Sequence, residues 1–289
     1  LSLVGSEMCI RDSIYEAACC GLRDFFVKNG YKKACVGVSG GIDSAVVACL
    51  AVAALGAENV RGLMMPSQFS SEGSVEDAKQ LAENLGIEFH VVPITEAYRS
   101  IVDTLIPVIG GTDFDATEEN IQSRIRTLML MALQNKNGYV LLNCSNKSEN
   151  ALGICTLYGD TGGAFSVTGD LYKTEMYDLA RYINRKFGAP IPENILTKEP
   201  SSELRPNQKD SDMLPSYEVV DAILYRLIED GQSREEIINA GFDSDEVQKI
   251  YAMVMRNEKK RFQYPPVLRL SSSSFGHEYR MPLTHKYVK

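Results

Sequence analysis

The sequence predicts an α/β fold, in which a doubly wound parallel sheet with helices on both faces is followed by a helical C-terminal part. Short apolar segments alternate with helical segments through the first half of the chain, which is typical of parallel sheets. The strand signal ends after Leu142, whereas helical patterns continue to residue 257. With 289 residues, of which 44% are hydrophobic, the chain is long enough to bury a sizeable core.

Each predicted element has a local signal. The first helix is expected to begin at Ser13, because Ser13-x-x-Glu16 fits the capping-box pattern, and to end near Asn29 before Gly30. Short apolar segments predict strands at residues 33–38, 60–65, 87–92 and 139–142. Helical patterns predict helices at residues 44–55, 75–85 (capped by Ser74), 98–105, 118–135, 174–187, 216–230, 233–240 and 244–257.

The N-terminal segment differs from the rest. Residues 1–13 (LSLVGSEMCIRDS) have no initiator Met and lack the regional order of a secretory signal. They resemble a translated sequencing adapter more than a protein segment. We therefore predict that residues 1–13 are a non-native leader and that residues 14–289 form one domain.

Composition excludes several classes of function. The net charge of −8 is unfavourable for broad nucleic-acid binding, which depends on Lys and Arg. The longest apolar run, residues 45–57, is too short to span a bilayer, so no membrane association is expected. The seven cysteines are odd in number and form no Cys-x-x-Cys pair, which predicts a reducing, cytoplasmic location. The three histidines lack zinc-ligand spacing.

The most informative stretch is residues 39–44, SGGIDS, between the first strand and the next helix. Two glycines permit a tight turn whose N–H groups face an anion, and the helix N-terminus adds positive potential. The Ser39 and Ser44 hydroxyls can donate to phosphate oxygens. Asp43 would repel phosphate unless a cation lies between them, which suggests Mg²⁺. The alternative is an ordinary structural turn.

A second polar block, residues 143–160, follows the fourth strand and is expected on the same edge of the sheet. Glu149 is a candidate metal ligand, or else a first-turn glutamate that complements the helix dipole. Lys147 could reach phosphate as a point charge. Residues 195–214 lack periodicity, so a nucleotide-covering segment and a solvated linker are both open.

Further candidates lie on helices and turns. Asn120, Arg124 and Thr127 share one helix face, as an ordinary surface helix also would. Residues 158–163 form a second glycine-rich turn, and Lys173 directly precedes a helix. The basic cluster at residues 257–261 is either a solvated helix end or a site for an anionic substrate.

These motifs carry a family resemblance. SGGIDS resembles the pyrophosphatase-type loop of N-type ATP hydrolases, which cut ATP between the α and β phosphates. The blocks together, over residues 13–287, resemble the synthetase domain of NAD synthetases, especially the glutamine-dependent subclass. The supporting segments are MMPS (64–67), EENIQSRIR (118–126), NKSE (146–149), TLYGD (156–160), DLYKT (170–174) and KRFQYPP (260–266).

The resemblance implies a Rossmann-like fold of the adenine nucleotide alpha hydrolase type. It implies ATP-dependent amidation of deamido-NAD (nicotinic acid adenine dinucleotide) to NAD through an adenylated intermediate, with release of AMP and pyrophosphate. Mg²⁺ is the implied cofactor, ATP the co-substrate and ammonia the nitrogen donor. In the subclass, glutamine hydrolysis by an upstream glutaminase domain supplies that ammonia. A homo-oligomer is also implied.

The resemblance assigns roles by position. Asp43, Asp160 and Lys173 would be catalytic, with Asp160 orienting or deprotonating the incoming ammonium, and Asp43 and Glu149 would hold the metal. Cys144 stands where the family usually has a Thr, so a weaker ATP contact is expected there. The ATP-binding positions are Gly37, Val38, Ser39, Gly40, Gly41, Ile42, Asp43, Ser44, Cys144, Lys173 and Ser201. The deamido-NAD positions are Asn120, Arg124, Glu149, Lys259 and Lys260.

Two other functions stay open. One is a different adenylating enzyme of the superfamily, such as a GMP synthetase or a tRNA-thiolating enzyme. The latter usually has a basic surface and catalytic cysteines, which this acidic chain does not suggest. The other is a non-catalytic, nucleotide-binding subunit that serves a separate glutaminase.

Overall fold

The computed structural model describes residues 3–111 and 113–286, with side chains from Ile10 onward, and has the predicted α/β architecture. The strands are β1 (Lys33–Gly37), β2 (Val60–Met64), β3 (Glu88–Val91), β4 (Tyr139–Asn143) and β5 (Phe165–Ser166). The helices are α1 (Leu3–Asn29), α2 (Ile42–Leu55), α3 (Glu72–Leu85), α4 (Thr95–Ile109), α5 (Ala116–Asn137), α6 (Lys147–Leu152), α7 (Lys173–Phe187), α8 (Glu193–Thr197), α9 (Tyr217–Ile228), α10 (Arg234–Asn239), α11 (Ser244–Arg256) and α12 (Glu258–Arg261).

Within the described residues, five parallel strands form one sheet in the order β3-β2-β1-β4-β5. The chain builds outward from β1 to β3 on one side and then returns to build β4 and β5 on the other. The connections therefore change direction between β1 and β4, and the loops after these two strands leave a crevice between them. The predicted doubly wound sheet is confirmed.

Side chains along β1 alternate between two cores. Ala34 and Val36 are fully buried against α1, α2 and α7, whereas Cys35 is fully buried on the face covered by α4 and α5. Helix α2 is buried on nearly all sides, with every residue from 45 to 51 inside the core. This packing holds the loop between β1 and α2 in a fixed position.

The helical C-terminal part is also confirmed. Helices α9, α10 and α11 enclose a second core that includes Leu224, Val247 and Ile250, together with Leu152 of α6. Because α6 begins shortly after β4, this core supports the second side of the crevice. No helix of the described residues is long and apolar enough to cross a membrane.

The predicted start of the first helix at Ser13 is wrong. Helix α1 begins at Leu3, and Ser13 lies inside it. The Lys186 ammonium on α7 donates to the Asp12 carboxylate at 2.6 Å, so contacts with α7 support the helix beyond the local capping signal. Residues 1, 2 and 287 lie outside the described residues, and the assignment of residues 1–13 as a non-native leader stays a prediction.

Short elements were missed by the sequence patterns. Strand β5 and helices α6, α8 and α12 are too brief for a period of two or 3.6 residues to register. The prediction that Ser74 caps α3 is wrong by one turn. The cap is Ser71, whose hydroxyl accepts from the Ser74 amide in the first turn of the helix. Ser74 instead lies inside α3 and faces the crevice.

Candidate active site

The crevice between β1 and β4 opens into a cleft at the carboxyl edge of the sheet. Its walls include the loop after β1, the loop after β4, one face of α5, the end of β2 with the start of α3, the start of α7, and residues from the stretch between Lys198 and Asp210. We call residues 198–210 the covering segment. Of the predicted ATP-loop residues, the cleft is lined by Gly37, Val38, Ser39, Gly41, Ile42, Asp43 and Ser44.

The loop has a conformation that requires glycine. Gly40 has φ +78°, and a Cβ there would lie 2.2 Å from the carbonyl oxygen of Ser74, so α3 approaches the loop backbone directly. The Ser39 amide donates to the Ser44 hydroxyl at 3.1 Å, and that hydroxyl donates to the Gly41 carbonyl at 3.1 Å. Ser44 therefore shapes the loop, while the side chain of Ser39 borders the cleft.

Three charged side chains converge beside this loop. The Lys173 ammonium donates to Asp43 Oδ2 at 2.6 Å and to Glu149 Oε1 at 3.4 Å. The three side chains come from the N-terminal turns of α2, α6 and α7, which the sheet topology brings to one point. The structure thus brings Asp43, Glu149 and Lys173 together, while their roles as metal ligands and ATP-binding cation stay predictions.

The charges of this group are strongly coupled. Burial, assisted by the nearby Asp43, raises the pKa of Glu149 to about 8. Burial alone would lower the pKa of the Lys173 ammonium, but Asp43 and Glu149 hold that pKa well above its ordinary value. The two carboxylates thus share one cation, and the group carries an excess of negative charge whenever both are ionised.

This donor set suits a hard divalent cation. Two carboxylates already converge on one positive centre, and Mg²⁺ in nucleotide sites commonly uses one or two carboxylates, with water and substrate phosphates as its other ligands. Among the described residues, no group of three or more histidine, cysteine, aspartate or glutamate side chains is placed to hold a metal. A metal here would therefore need ligands from the substrate.

Asp160 lines the cleft and is exposed there, while its backbone and carboxylate are hydrogen-bonded to neighbouring protein groups. Its carboxylate accepts from the Thr156 amide at 2.6 Å, and its own amide donates to the Ser123 hydroxyl at 3.0 Å. The surrounding protein raises the pKa of Asp160 to about 6, although these hydrogen bonds and the nearby Lys260 act in the opposite direction. The group is therefore suited to exchange a proton near neutral pH.

The predicted dinucleotide contacts are engaged elsewhere in this structure. The Thr156 hydroxyl donates to Asn120 Oδ1 at 2.6 Å, and Arg124 Nε donates to the Leu157 carbonyl at 3.1 Å. This face of α5 thereby holds the glycine-rich turn that carries Asp160. Asn120 and Arg124 lie outside the lining of the cleft, and their contact with substrate stays a prediction.

The two lysines predicted to contact deamido-NAD, Lys259 and Lys260, differ in their surroundings. Lys259 is exposed, and Lys260 donates to the carbonyls of Gly153 and Cys155 at 2.6 and 2.8 Å. Neither lines the cleft, so their substrate role also stays a prediction. The expectation that Lys147 reaches phosphate is wrong, because that side chain is fully buried and pairs with Asp170 and Glu229.

Cys144 and Ser201 both line the cleft. Burial, with Asp43 and Glu149 nearby, raises the pKa of the Cys144 thiol, so it is a neutral and weak hydrogen-bond partner. Ser201 lies on the covering segment, where its hydroxyl accepts from the Glu203 amide at 3.1 Å. Of the predicted loop positions 37–44, Gly40 alone is not among the residues that line the cleft. Glycine is required there by the conformation of the turn.

Glu203 attaches the covering segment to the start of α3. Its carboxylate accepts from the Ser71 amide at 3.2 Å, the Ser71 hydroxyl at 2.8 Å and the Ser74 hydroxyl at 2.7 Å, all at the start of α3. Lys198 adds a 2.9 Å ion pair with Asp77. The alternative of a plain solvated linker is therefore wrong for this stretch, which forms a wall of the cleft.

Arg126, like Glu203, is a cleft residue to which the sequence patterns assigned no role. Its Nε donates to the Met65 carbonyl at 2.9 Å, and burial lowers its pKa to about 10, although Glu203 and Asp160 favour the charged form. It remains a cation at neutral pH. A helical projection of α5 could have found it, since Ser123, Arg126 and Thr127 lie on one face and all line the cleft.

A glycine loop and a carboxylate pair at the switch point of a parallel sheet define a nucleotide-binding α/β protein, here of the Rossmann-like adenine nucleotide alpha hydrolase fold. A family model described as NAD synthase matches residues 14–264. The chain belongs to the NAD synthase family.

Relatives agree with this assignment. The chain is 51% identical over 278 residues to the glutamine-dependent NAD(+) synthetase of Aquifex aeolicus, covering 96% of this chain and 49% of the relative. The structure of the glutamine-dependent NAD+ synthetase of Acinetobacter baumannii, in complex with ADP, is similar with a TM-score of 0.64 and 41% identity, over 94% of this chain and 49% of that one. The NMN synthetase of Francisella tularensis gives a TM-score of 0.74 and 26% identity, over 87% and 95% of the two chains. The chain thus spans about half the length of the glutamine-dependent relatives.

Proposed function

We propose that this chain amidates deamido-NAD to NAD, using ATP and ammonia and releasing AMP and pyrophosphate. The observation that carries the proposal is the convergence of Asp43, Glu149 and Lys173 beside the glycine loop, in a chain of the NAD synthase family. A carboxylate is a poor acylating agent, so its conversion to an acyl adenylate provides the leaving group that ammonia needs.

The cleft residues have to bring together two polyanions. Loop amides from Ser39 to Asp43 and the start of α2 would hold ATP phosphates, with Lys173 and Arg126 as cations at the cleft. Mg²⁺ held between Asp43 and Glu149 would, when bound, offset the charge of the phosphates. Asp160 would accept a proton from the ammonium before the amine attacks the acyl carbon.

The wider assembly is also a proposal. The relatives are named for glutamine, and the half of their length that this chain does not match would supply ammonia from it. A homo-oligomer and a cytoplasmic location remain predictions from the family resemblance and from the cysteine content. The acidic charge is the reason that we expect no nucleic-acid partner.

The test is a product assay on the full chain. It is incubated with MgATP, deamido-NAD and either ammonium or glutamine, and AMP, pyrophosphate and NAD are quantified. We expect equal amounts of the three products with ammonium and none with glutamine. Replacement of deamido-NAD by nicotinate mononucleotide tests the NMN synthetase alternative that the Francisella structure raises.

Two variants complete the assay. Asp43→Asn should abolish pyrophosphate release and leave the chain folded, with a lowered melting temperature because the buried Lys173 loses its charged partner. Asp103→Asn, on the exposed surface of α4, should behave as wild type. Near-normal turnover of D43N would remove Asp43 from the site. ATP binding without product from either nitrogen source would instead support the non-catalytic subunit.

A further inference from the structure

Asn146 connects the two candidate metal ligands. It is completely buried between β4 and α6, and its side chain makes hydrogen bonds in two directions. Its Nδ2 donates to Asp43 Oδ1 at 2.9 Å, while its Oδ1 accepts from the Glu149 amide at 3.0 Å. The Asn146 amide in turn donates to the Glu149 carboxylate at 3.4 Å.

We propose that Asn146 is a positioning residue that fixes Asp43 and Glu149 in the relative placement that one divalent cation requires. The proposal rests on the proposed function only for the identity of that cation. Both carboxylate oxygens of Asp43 accept hydrogen bonds, Oδ1 from Asn146 and Oδ2 from Lys173. These two bonds fix the orientation of the carboxylate plane. Glu149 is fixed through the first turn of its helix.

Helix capping alone does not account for the choice of asparagine. A cap needs only an acceptor, and other side-chain caps of this chain are Ser71, Asp115, Ser233 and Asp243, which offer one. Asn146 adds an N–H donor, and that donor reaches across 103 positions of sequence to Asp43. Aspartate at this position could not donate, and serine is too short to span both contacts.

Two substitutions distinguish the role of Asn146 as a helix cap from its role as a hydrogen-bond donor to Asp43. Asn146→Ser keeps the cap acceptor and loses the donor to Asp43, whereas Asn146→Ala loses both. Ser233→Ala is the matched control, because it removes a capping box on α10, none of whose residues lines the cleft. Each variant is compared with wild type by thermal unfolding and by Mn²⁺ binding in the presence of ATP, followed through the electron paramagnetic resonance signal of free Mn²⁺.

We expect N146S and N146A to bind Mn²⁺ with ATP about 10- to 100-fold more weakly than wild type, as is usual when an outer partner of a metal ligand is removed. N146A should also melt at a lower temperature than N146S. S233A should lose stability and keep its Mn²⁺ affinity. In turnover, the Mg²⁺ concentration for half-maximal rate should rise, with the KM for deamido-NAD unchanged.

Unchanged Mn²⁺ affinity in either folded Asn146 variant would overturn the proposal and leave Asn146 a helix cap. An equal loss of affinity in S233A would overturn it as well, since general destabilisation would then be the cause. Either Asn146 variant carries the test alone, because both remove the Nδ2 donor. The binding measurement needs no amidation, so a wild type that binds Mn²⁺ with ATP and forms no NAD would refute the proposed function only.

Discussion

At the scale of single residues, Lys173 determines the charge state of the site. Its ammonium lies within hydrogen-bonding distance of Asp43 and Glu149 and is only 5% exposed. Sequence patterns placed Lys173 before a helix and Asp43 in a loop at the carboxyl edge of the sheet, and only the family resemblance suggested that both belong to one site. They could not give the direct contact between them, which depends on side-chain positions 130 residues apart.

We expect Lys173→Met to bind Mn²⁺ more tightly in the absence of nucleotide, because the two carboxylates lose their internal cation. A unit charge at this distance contributes about 1 to 4 kcal/mol, equivalent to a gain in affinity of about fivefold to several hundredfold. The same variant should lose most of its turnover, since the phosphates lose a cation. Lys79→Met, on the exposed side of α3, is the control, and unchanged Mn²⁺ affinity in K173M would contradict this account.

The pKa of Asp160, about 6, predicts the pH dependence of amidation. The carboxylate is ionised above this pH and accepts a proton from ammonium only in that form. The rate, corrected for the concentration of free ammonia, should therefore fall as the pH drops through about 6. The Asp160→Asn variant should turn over slowly, and its rate should not fall as the pH drops through about 6. Initial rates measured at a series of pH values on both sides of 6 test this. If D160N keeps the same decrease, another group is responsible.

At the scale of elements, the covering segment is attached to the rest of the chain by contacts that are remote in sequence. Glu203 bonds to the start of α3, and the Leu204 carbonyl accepts from Gln122 on α5 at 2.9 Å. The sequence therefore left two interpretations open for this stretch, because neither its composition nor its period reveals partners that are 82 and 132 positions away. Apart from the start of α1, the first four strands and the long helices, whose signals are local, agree with the sequence predictions to within a few residues.

Glu203→Ala removes the acceptor of three hydrogen bonds and should loosen the covering segment. We expect faster amide hydrogen exchange in residues 198–210 and a KM for ATP raised about three- to tenfold, the equivalent of about 1 kcal/mol. Exchange in the sheet should not change. Glu76→Ala, exposed on α3, is the matched control. Unchanged exchange in residues 198–210 would show that Glu203 does not hold the segment.

At the scale of the whole molecule, the order of the sheet brings the site together. The loops after β1 and β4 are adjacent because the connections change direction between these strands. Alternating strands and helices predicted only that both loops lie at the same edge of the sheet, since the sequence did not reveal the strand order. Strand β5 escaped prediction because its two residues, paired with β4, are too few for a strand pattern. On its other side the Ser166 amide donates to the Pro266 carbonyl at 2.9 Å, a contact that is remote in sequence. The C-terminal segment thus returns to the edge of the sheet.

Lys147 joins this C-terminal segment to the core. The buried ammonium bonds to Ser271 at 2.7 Å and pairs with Asp170 and Glu229. Lys147→Met would leave two buried carboxylates without their cation, which should lower the free energy of unfolding by about 3 to 5 kcal/mol in denaturant titrations. Lys136→Met, near the exposed end of α5, should change it by less than about 0.5 kcal/mol. A similarly small change in K147M would contradict the structural role of Lys147.

The central claim is that this cleft adenylates the carboxylate of deamido-NAD, and an oxygen-18 measurement tests it most directly. Deamido-NAD labelled in both carboxylate oxygens is converted with MgATP and ammonium, and the AMP and pyrophosphate are analysed by mass spectrometry. One labelled oxygen should appear in AMP, because the oxygen between the acyl carbon and phosphorus leaves with it, and pyrophosphate should stay unlabelled. NAD formed with unlabelled AMP would contradict the claim.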